Sequence, residues 1–345
     1  MRSFFVLFFL IATSSCTLTQ AKSQSQTRAA STSSSLLVSR HLKGKSIRKV
    51  NLSSELKLQR FKYQDLLRSY YLYDPTPETT RKRPLFLVLH GGGKGDGKSI
   101  ASRTSFLNLA KEHRFLIAFP NGVDQQWNDG RGKSFRKPEK SRGVDDVGFL
   151  VQLVQILIRS KNVHPSRVYL TGASNGGMMS YRMACEASPF FAGIAPMIGG
   201  LPKNLINSCN PRSRLPILSI MSDQDPWVPY EGGKVTIARR SYGDILSALD
   251  SIRFFLQRNH CAQNKVSVSH FDRVKGDNSS IEIKRWKCPG EIENRLITVV
   301  NGGHSLPGNE LRPFLKRILG NSNQDLDSAK EVVRFLLKYR LPTKD

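Results

Sequence analysis

Residues 167–185 read RVYLTGASNGGMMSYRMAC. Val168 to Thr171 form a short apolar run of the kind a strand buried on both faces requires. From Asn175 onward the residues read as a helix. Between them, Gly172-Ala173-Ser174-Asn175-Gly176 is a G-x-S-x-G. Alone, that pattern says little, because small residues cluster by chance. A strand before it and a helix after it give it content. That order is the setting of a nucleophile elbow, a turn so sharp that its flanks are glycine and a serine hydroxyl is raised above the sheet. The bland alternative is an ordinary glycine-rich strand-to-helix turn.

The same alternation recurs on both sides of this stretch. Residues 84–93, PLFLVLHGGG, read as a buried strand and a glycine-rich loop. SFLNLAKEHR (105–114) reads as a helix and FLIAFPNG (115–122) as another buried strand. DDVGFLVQLVQILIRSK (145–161) is an amphipathic helix that Asp145 or Asp146 caps. FAGIAPMIGG (191–200) and LPILSIMS (215–222) read as strands, and residues 238–258 as a helix. VSVSHF (266–271), IEIKRW (281–286) and RLITVV (295–300) follow as strands, and a helix around 328–339 closes the chain. At the front, residues 58–75 suggest paired strands. Strands alternating with helices predict an α/β fold, a mostly parallel sheet flanked by helices on both faces.

The ends and the charge narrow the class. Residues 1–21 combine Arg2, an apolar run from Phe4 to Ala12 and small residues, as a signal peptide does. Two exits stand open: cleavage after Ala21, or acylation of Cys16 as a lipid anchor. Residues 22–57 are Ser-rich and then basic, a flexible tether, and the catalytic domain is expected over 58–345. The expected location is therefore outside the cytoplasm: secreted, periplasmic or at the cell surface. Setting Cys16 aside leaves Cys185, Cys209, Cys261 and Cys288 of the five cysteines. Pairing 185 with 209 and 261 with 288 closes two local loops. No spacing suggests a metal site, and no metal or organic cofactor is implied. With 53 Lys+Arg against 27 Asp+Glu, the formal charge is +26. Such a field attracts polyanions and anionic envelope surfaces, but no motif points to nucleic acid as a specific partner.

A serine hydroxyl needs a base, and the base an acid, in the chain order Ser, acid, His. Of seven histidines, His260, His270 and His304 lie downstream. His270 sits in an alternating strand and His260 ends a helix. His304 stands in a glycine-rich loop directly after a buried strand, which favours it as the base. Asp223 and Asp225 both follow the strand 215–222 and both suit the acid. His90-Gly91-Gly92-Gly93 offers the Gly92 N–H as an oxyanion donor, and Asn175 N–H offers the second.

Taken together, LFLVLHGGG (85–93), FPNGVDQQWNDGRG (119–132), VDDVGFL (144–150), VYLTGASNGGMMSYRMACE (168–186), SDQDPWVPYEGG (222–233) and NGGHSLPG (301–308) resemble the polyhydroxybutyrate depolymerase and feruloyl esterase group of α/β-hydrolases. The resemblance runs from about residue 65 to 340. It implies a secreted carboxylesterase acting on polyester or on phenolic and polysaccharide esters. It matches Ser174, Asp225 and His304 to the catalytic triad, and so prefers Asp225 to Asp223. It also matches Gly92 and Asn175 to the oxyanion positions, and the four cysteines resemble the group's disulfides. Trp127, Asn128 and Trp227 become candidates for the substrate cleft. The chain departs from the group at Gly92, where many members carry cysteine, and at Leu306, where many carry tryptophan. Residues 133–142 form a basic loop that suits an acidic substrate. Two other readings compete: a serine peptidase of the same fold, and a non-catalytic basic surface protein that binds polyanions.

Overall fold

The computed structural model describes residues 55–132 and 143–342. The signal-like segment with Cys16, the tether up to residue 54 and the basic loop over 133–142 lie outside the described residues. The chain begins with a hairpin of β1 (Lys57–Tyr63) and β2 (Leu66–Tyr73), followed by β3 (Arg83–Leu89). Helices α1 (Gly97–Arg103) and α2 (Phe106–His113) lead to β4 (Leu116–Pro120). Then come α3 (Asp146–Ser160), β5 (Val163–Ala173), α4 (Asn175–Ala187), β6 (Gly193–Met197) and β7 (Ile217–Ser222). A small separate hairpin, β8 (Gly233–Ile237) and β9 (Arg240–Ile245), precedes α5 (Ala248–Arg258). Strands β10 (Val266–Phe271), β11 (Ser280–Cys288) and β12 (Ile292–Val300) and helices α6 (Pro313–Leu319) and α7 (Ser328–Leu336) complete it.

Among the described residues the main sheet has ten strands in the order β1-β2-β4-β3-β5-β6-β7-β12-β11-β10. The run from β4 to β12 is parallel, and an antiparallel pair flanks it on each side. The sequence explains the layering. In β3, Leu85, Leu87 and Leu89 face one core with Leu153 and Leu157 of α3 and Met178 of α4. Phe86 and Val88 face the other, with Phe106 of α2 and Val332 and Phe335 of α7. Because both faces are covered, every residue of β3, β4, β6 and β7 is buried, which is why these strands read as unbroken apolar runs. Burying each such Leu, Val or Phe contributes about 1.5–3 kcal/mol.

One expectation fails. Residues 238–258 are not one helix: β9 occupies Arg240–Ile245 and the helix starts at Ala248. Ala238 and Arg239 take positive φ of 48° and 65°, turning the chain into a hairpin, and Ser247 caps the helix by accepting from Asp250 N. Both expected disulfides are present, Cys185–Cys209 and Cys261–Cys288. The first spans 24 residues and ties α4 to the loop before β7. Replacing both of its cysteines with alanine is expected to lower the unfolding free energy by about 3 kcal/mol, measured by urea titration at fixed pH.

Candidate active site

The strand order reverses between β3 and β5: from β3 the chain builds toward β4, and from β5 toward β12. Such a switch point opens a crevice at the carboxyl ends of the strands, where ligands of open α/β sheets bind. His90-Gly91-Gly92-Gly93 leaves β3 there, and Ser174 leaves β5. Leu89 pairs with Gly172, so the two loops emerge level with each other. A Cβ built on Gly91 would lie 3.5 Å from Ser174 Cβ.

Ser174 alone turns the chain between β5 and α4, with φ 55° and ψ −117°. Residues other than glycine rarely take such angles, and holding one costs about 1–3 kcal/mol. The turn is held from both sides: Ser174 N–H donates to Met197 O at 2.9 Å, and Met178 N–H donates to Ser174 O at 2.9 Å. The glycines are dictated by close approach. A Cβ on Gly172 would sit 2.4 Å from Gly176 O, and one on Gly176 would sit 2.5 Å from His90 O. From Thr171 to Tyr181 every residue except Ser174 is buried. The local fold therefore presents one hydroxyl and hides its neighbours.

Asp225 and His304 follow the carboxyl ends of β7 and β12, which are adjacent in the sheet. Their loops are laced together: Gln224 N–H donates to Gly302 O at 3.0 Å, and Asn301 N–H donates to Asp223 Oδ1 at 2.6 Å. Asp223 thus bridges the two loops, while Asp225 meets the imidazole. His304 Nδ1 donates to Asp225 Oδ2 at 2.6 Å. Asp225 Oδ1 accepts from Trp227 N at 2.8 Å and Val228 N at 2.9 Å, and its side chain is 1% exposed. With its Nδ1 proton engaged, the imidazole has Nε2 left as the basic nitrogen. Trp227 is partly buried, its ring 4.9 Å from that of His304, so it stands beside the imidazole.

Trp127 and Asn128, expected at the cleft, belong to the scaffold instead. Trp127 is 4% exposed; its Nε1 donates to His90 O at 2.9 Å and its ring lies 5.0 Å from the His90 ring. Asn128 is anchored at the start of α3, its N–H donating to Asp146 Oδ2 at 2.7 Å and its Nδ2 to Val144 O at 2.9 Å. Asp145 caps α3, and Asp146 pairs with Arg68 at 2.6 Å in the interior.

Two residues that the sequence did not single out, Asp129 and Arg131, brace Asn175. Trp127 N–H donates to the Asn175 side-chain oxygen at 2.8 Å. Asn175 Nδ2 donates to Trp127 O at 3.0 Å and to Asp129 Oδ2 at 2.6 Å. Asp129 also pairs with Arg131 at 2.7 Å, and both are buried. One loop, 127–131, therefore grips the residue after Ser174. It also touches the first residue of the HGGG loop. The charged pair inside WNDGRG was the available signal.

His90 is buried and neutral. Its Nε2 accepts from Gly122 N at 3.0 Å, so Nδ1 carries the proton and donates to Gly91 O at 2.8 Å. This fixes the Gly91–Gly92 peptide, whose N–H is that of Gly92 and points opposite to the held carbonyl. Burial lowers the His90 pKa from 6.5 to about 4. The unfolded chain then binds more protons than the folded one between about pH 4 and 6.5, and stability falls as pH drops through that window. The expected loss is about 3 kcal/mol. Urea unfolding at pH 7 and pH 4 should show a drop smaller by about that amount in His90→Gln than in the wild type.

No family model matches the chain. It is 29% identical over 268 residues to NocK of Nocardia uniformis subsp. tsuyamanensis, assigned as an esterase, covering 76% of each chain. It is 26% identical over 237 residues to feruloyl esterase B of Piromyces equi, covering 67% of this chain and 41% of that one. It is 33% identical over 120 residues to poly(3-hydroxyalkanoate) depolymerase C of Paucimonas lemoignei, covering 34% and 28%. Among solved structures, acetyl xylan esterase from Aspergillus awamori superposes with a TM-score of 0.50 at 12% identity, covering 72% of this chain and 94% of that one. The chain has the α/β-hydrolase fold and is similar to esterases. The likeness at 12% identity carries the fold alone, and the chain spans less than half of the feruloyl esterase and the depolymerase. On this fold, Ser174, the Asp225–His304 pair and the HGGG loop all stand at the carboxyl edge of one parallel sheet.

Proposed function

We propose that this protein is an exported serine carboxylesterase acting on polyester or on phenolic and polysaccharide esters. One arrangement carries the reading: a half-buried serine at a strained elbow and a histidine held through Nδ1 by a buried aspartate, all following carboxyl ends of strands in one parallel sheet. His304 Nε2 takes the Ser174 proton as Oγ attacks the ester carbonyl. Asp225 keeps the imidazole in the required tautomer and steadies the imidazolium. The N–H groups of Gly92 and Asn175 receive the oxyanion. Asn175 opens α4, where N–H groups lack intrahelical acceptors. The alcohol leaves with the proton of His304, and water attacks the acyl-enzyme by the same route. Export is supported by the two disulfides and the signal-like residues 1–21.

The relatives' names set the substrate panel: p-nitrophenyl acetate and butyrate, methyl ferulate, acetylated xylan and a short hydroxybutyrate oligomer. The expected result is turnover of at least one, with stoichiometric fluorophosphonate labelling at Ser174. Folded, disulfide-intact protein that neither turns over any of them nor takes the label would overturn the reading. The ratio between ferulate and hydroxybutyrate turnover then decides the substrate class.

A further inference from the structure

Helix α6 ends beside the loop that carries His304. None of its side chains is buried. Phe314 is 69% exposed, Leu315 38% and Ile318 44%. Phe314 and Ile318 are four residues apart and Leu315 and Ile318 three, so all three share one helix face. Arg312 and Arg317, also exposed, flank it, with exposed Lys316 on the far side, against the single carboxylate of Glu310 between residues 308 and 320. A soluble surface rarely leaves such an apolar strip open without a use. Its chemistry, an apolar face rimmed by cations, is that of helices that lie in the interface of anionic lipids.

The helix is also fastened to the catalytic loop. His304 N–H donates to Leu319 O at 2.5 Å, and Gly303 N–H donates to Asn321 O at 2.9 Å. A Cβ on Gly303 would lie 1.9 Å from Leu319 O, so this position must be glycine for the segment to sit down on the loop. Gly320 at the helix end lies near Gln224 O, at 3.7 Å for a Cβ built there. The last turn of α6 thus rests on the loops that carry His304 and Asp225.

We propose that α6 seats the protein on an anionic lipid surface and sets the crevice facing it, so that the esters taken are those presented at that surface. Charge complementarity selects the surface: three cations at the helix, on a chain of net charge +26, favour an anionic bilayer over a neutral one. The phrase about esters rests on the esterase reading; the seating itself does not.

The test is sedimentation of the full chain, carrying Ser174→Ala to spare the lipids, with vesicles of phosphatidylcholine alone or mixed equally with phosphatidylglycerol. Salt is set near physiological, where weak surface attraction is largely screened. The expected result is binding to the mixed vesicles, about tenfold weaker in Phe314→Ser/Ile318→Ser, which leaves the charge unchanged, and about tenfold weaker in Arg312→Gln/Lys316→Gln/Arg317→Gln. On the Ser174 background, both variants should hydrolyse a dissolved p-nitrophenyl ester at the parental rate and an ester embedded in anionic vesicles more slowly. Failure of the parent to bind mixed vesicles overturns the proposal. So does equal binding by Phe314→Ser/Ile318→Ser, which would assign retention to overall charge. Vesicle binding without turnover of any ester would leave α6 as proposed and remove the esterase reading instead.

Discussion

Ser174→Ala is expected to lower kcat on p-nitrophenyl butyrate by about a million-fold, and Asp225→Asn by about ten-thousand-fold, both with a folded protein. The second figure follows from hydrogen-bond directions. Asp225 Oδ1 accepts from two backbone donors, Trp227 N and Val228 N. An asparagine must keep its one oxygen there, because turning the amide would aim N–H at N–H. Its Nδ2 then faces His304 Nδ1, which has to answer with a lone pair. The imidazole proton moves to Nε2, the nitrogen that should take the Ser174 proton. The side chain keeps its shape and the base is lost. Asp223→Asn provides the comparison. Its Oδ1 accepts from Asn301 N, which an amide oxygen does equally well, so kcat should change by no more than about threefold. Steady-state kinetics with an active-site titration decide the matter. Asp225→Asn retaining more than about a tenth of the activity would remove Asp225 from the proposed triad and return the choice to Asp223.

The elbow was legible because its geometry leaves so little freedom. Gly172 and Gly176 stand where backbone from β3 and α4 crowds in, and only glycine fits. The buried strands were legible because a parallel sheet covered on both faces has no polar side. The hairpin β8–β9 was not. Ile237, Ile245, Leu249 and Ile252 keep a spacing compatible with a helix, and the turn at Ala238 and Arg239 uses residues that carry no turn signal. Trp127 was misplaced because a tryptophan beside a catalytic motif reads alike whether its indole lines a cleft or bonds a buried carbonyl. Here Nε1 reaches His90 O, and only tertiary structure settles that. The same reason hid Asp129. A charged residue in a glycine-rich loop looks solvated until its partners, Arg131 and Asn175, are seen to be buried with it.

Asp129→Asn is the second substitution expected to have a large effect, about ten- to hundredfold on kcat with KM nearly unchanged. Asp129 Oδ2 takes N–H donors from Arg131 and from Asn175, and Oδ1 takes Arg131 N–H. Every contact at this carboxylate is a donor, so an amide nitrogen in either orientation meets N–H with N–H. The amide keeps its oxygen at the Oδ2 position, where two side chains donate, and sets its nitrogen against Arg131 N–H. The turn at 129–131 shifts to relieve that repulsion and moves the acceptor on which the Asn175 side chain rests. Once its side chain loosens, the first turn of α4 is free to shift, and the Asn175 N–H with it. An oxyanion donor displaced by a few tenths of an ångström still admits substrate but no longer meets the developing charge. The loss therefore falls on kcat. Stability should drop as well, by roughly 1–3 kcal/mol for the unsatisfied buried group. A merely structural role would lower stability alone. The discriminating measurement is the affinity for a boronic acid that forms a tetrahedral adduct with Ser174. If the brace acts through the oxyanion donor, that affinity and kcat/KM should fall by the same factor, while binding of a ground-state amide analogue stays constant. Unchanged boronate affinity in a destabilised Asp129→Asn would confine the loop 127–131 to folding.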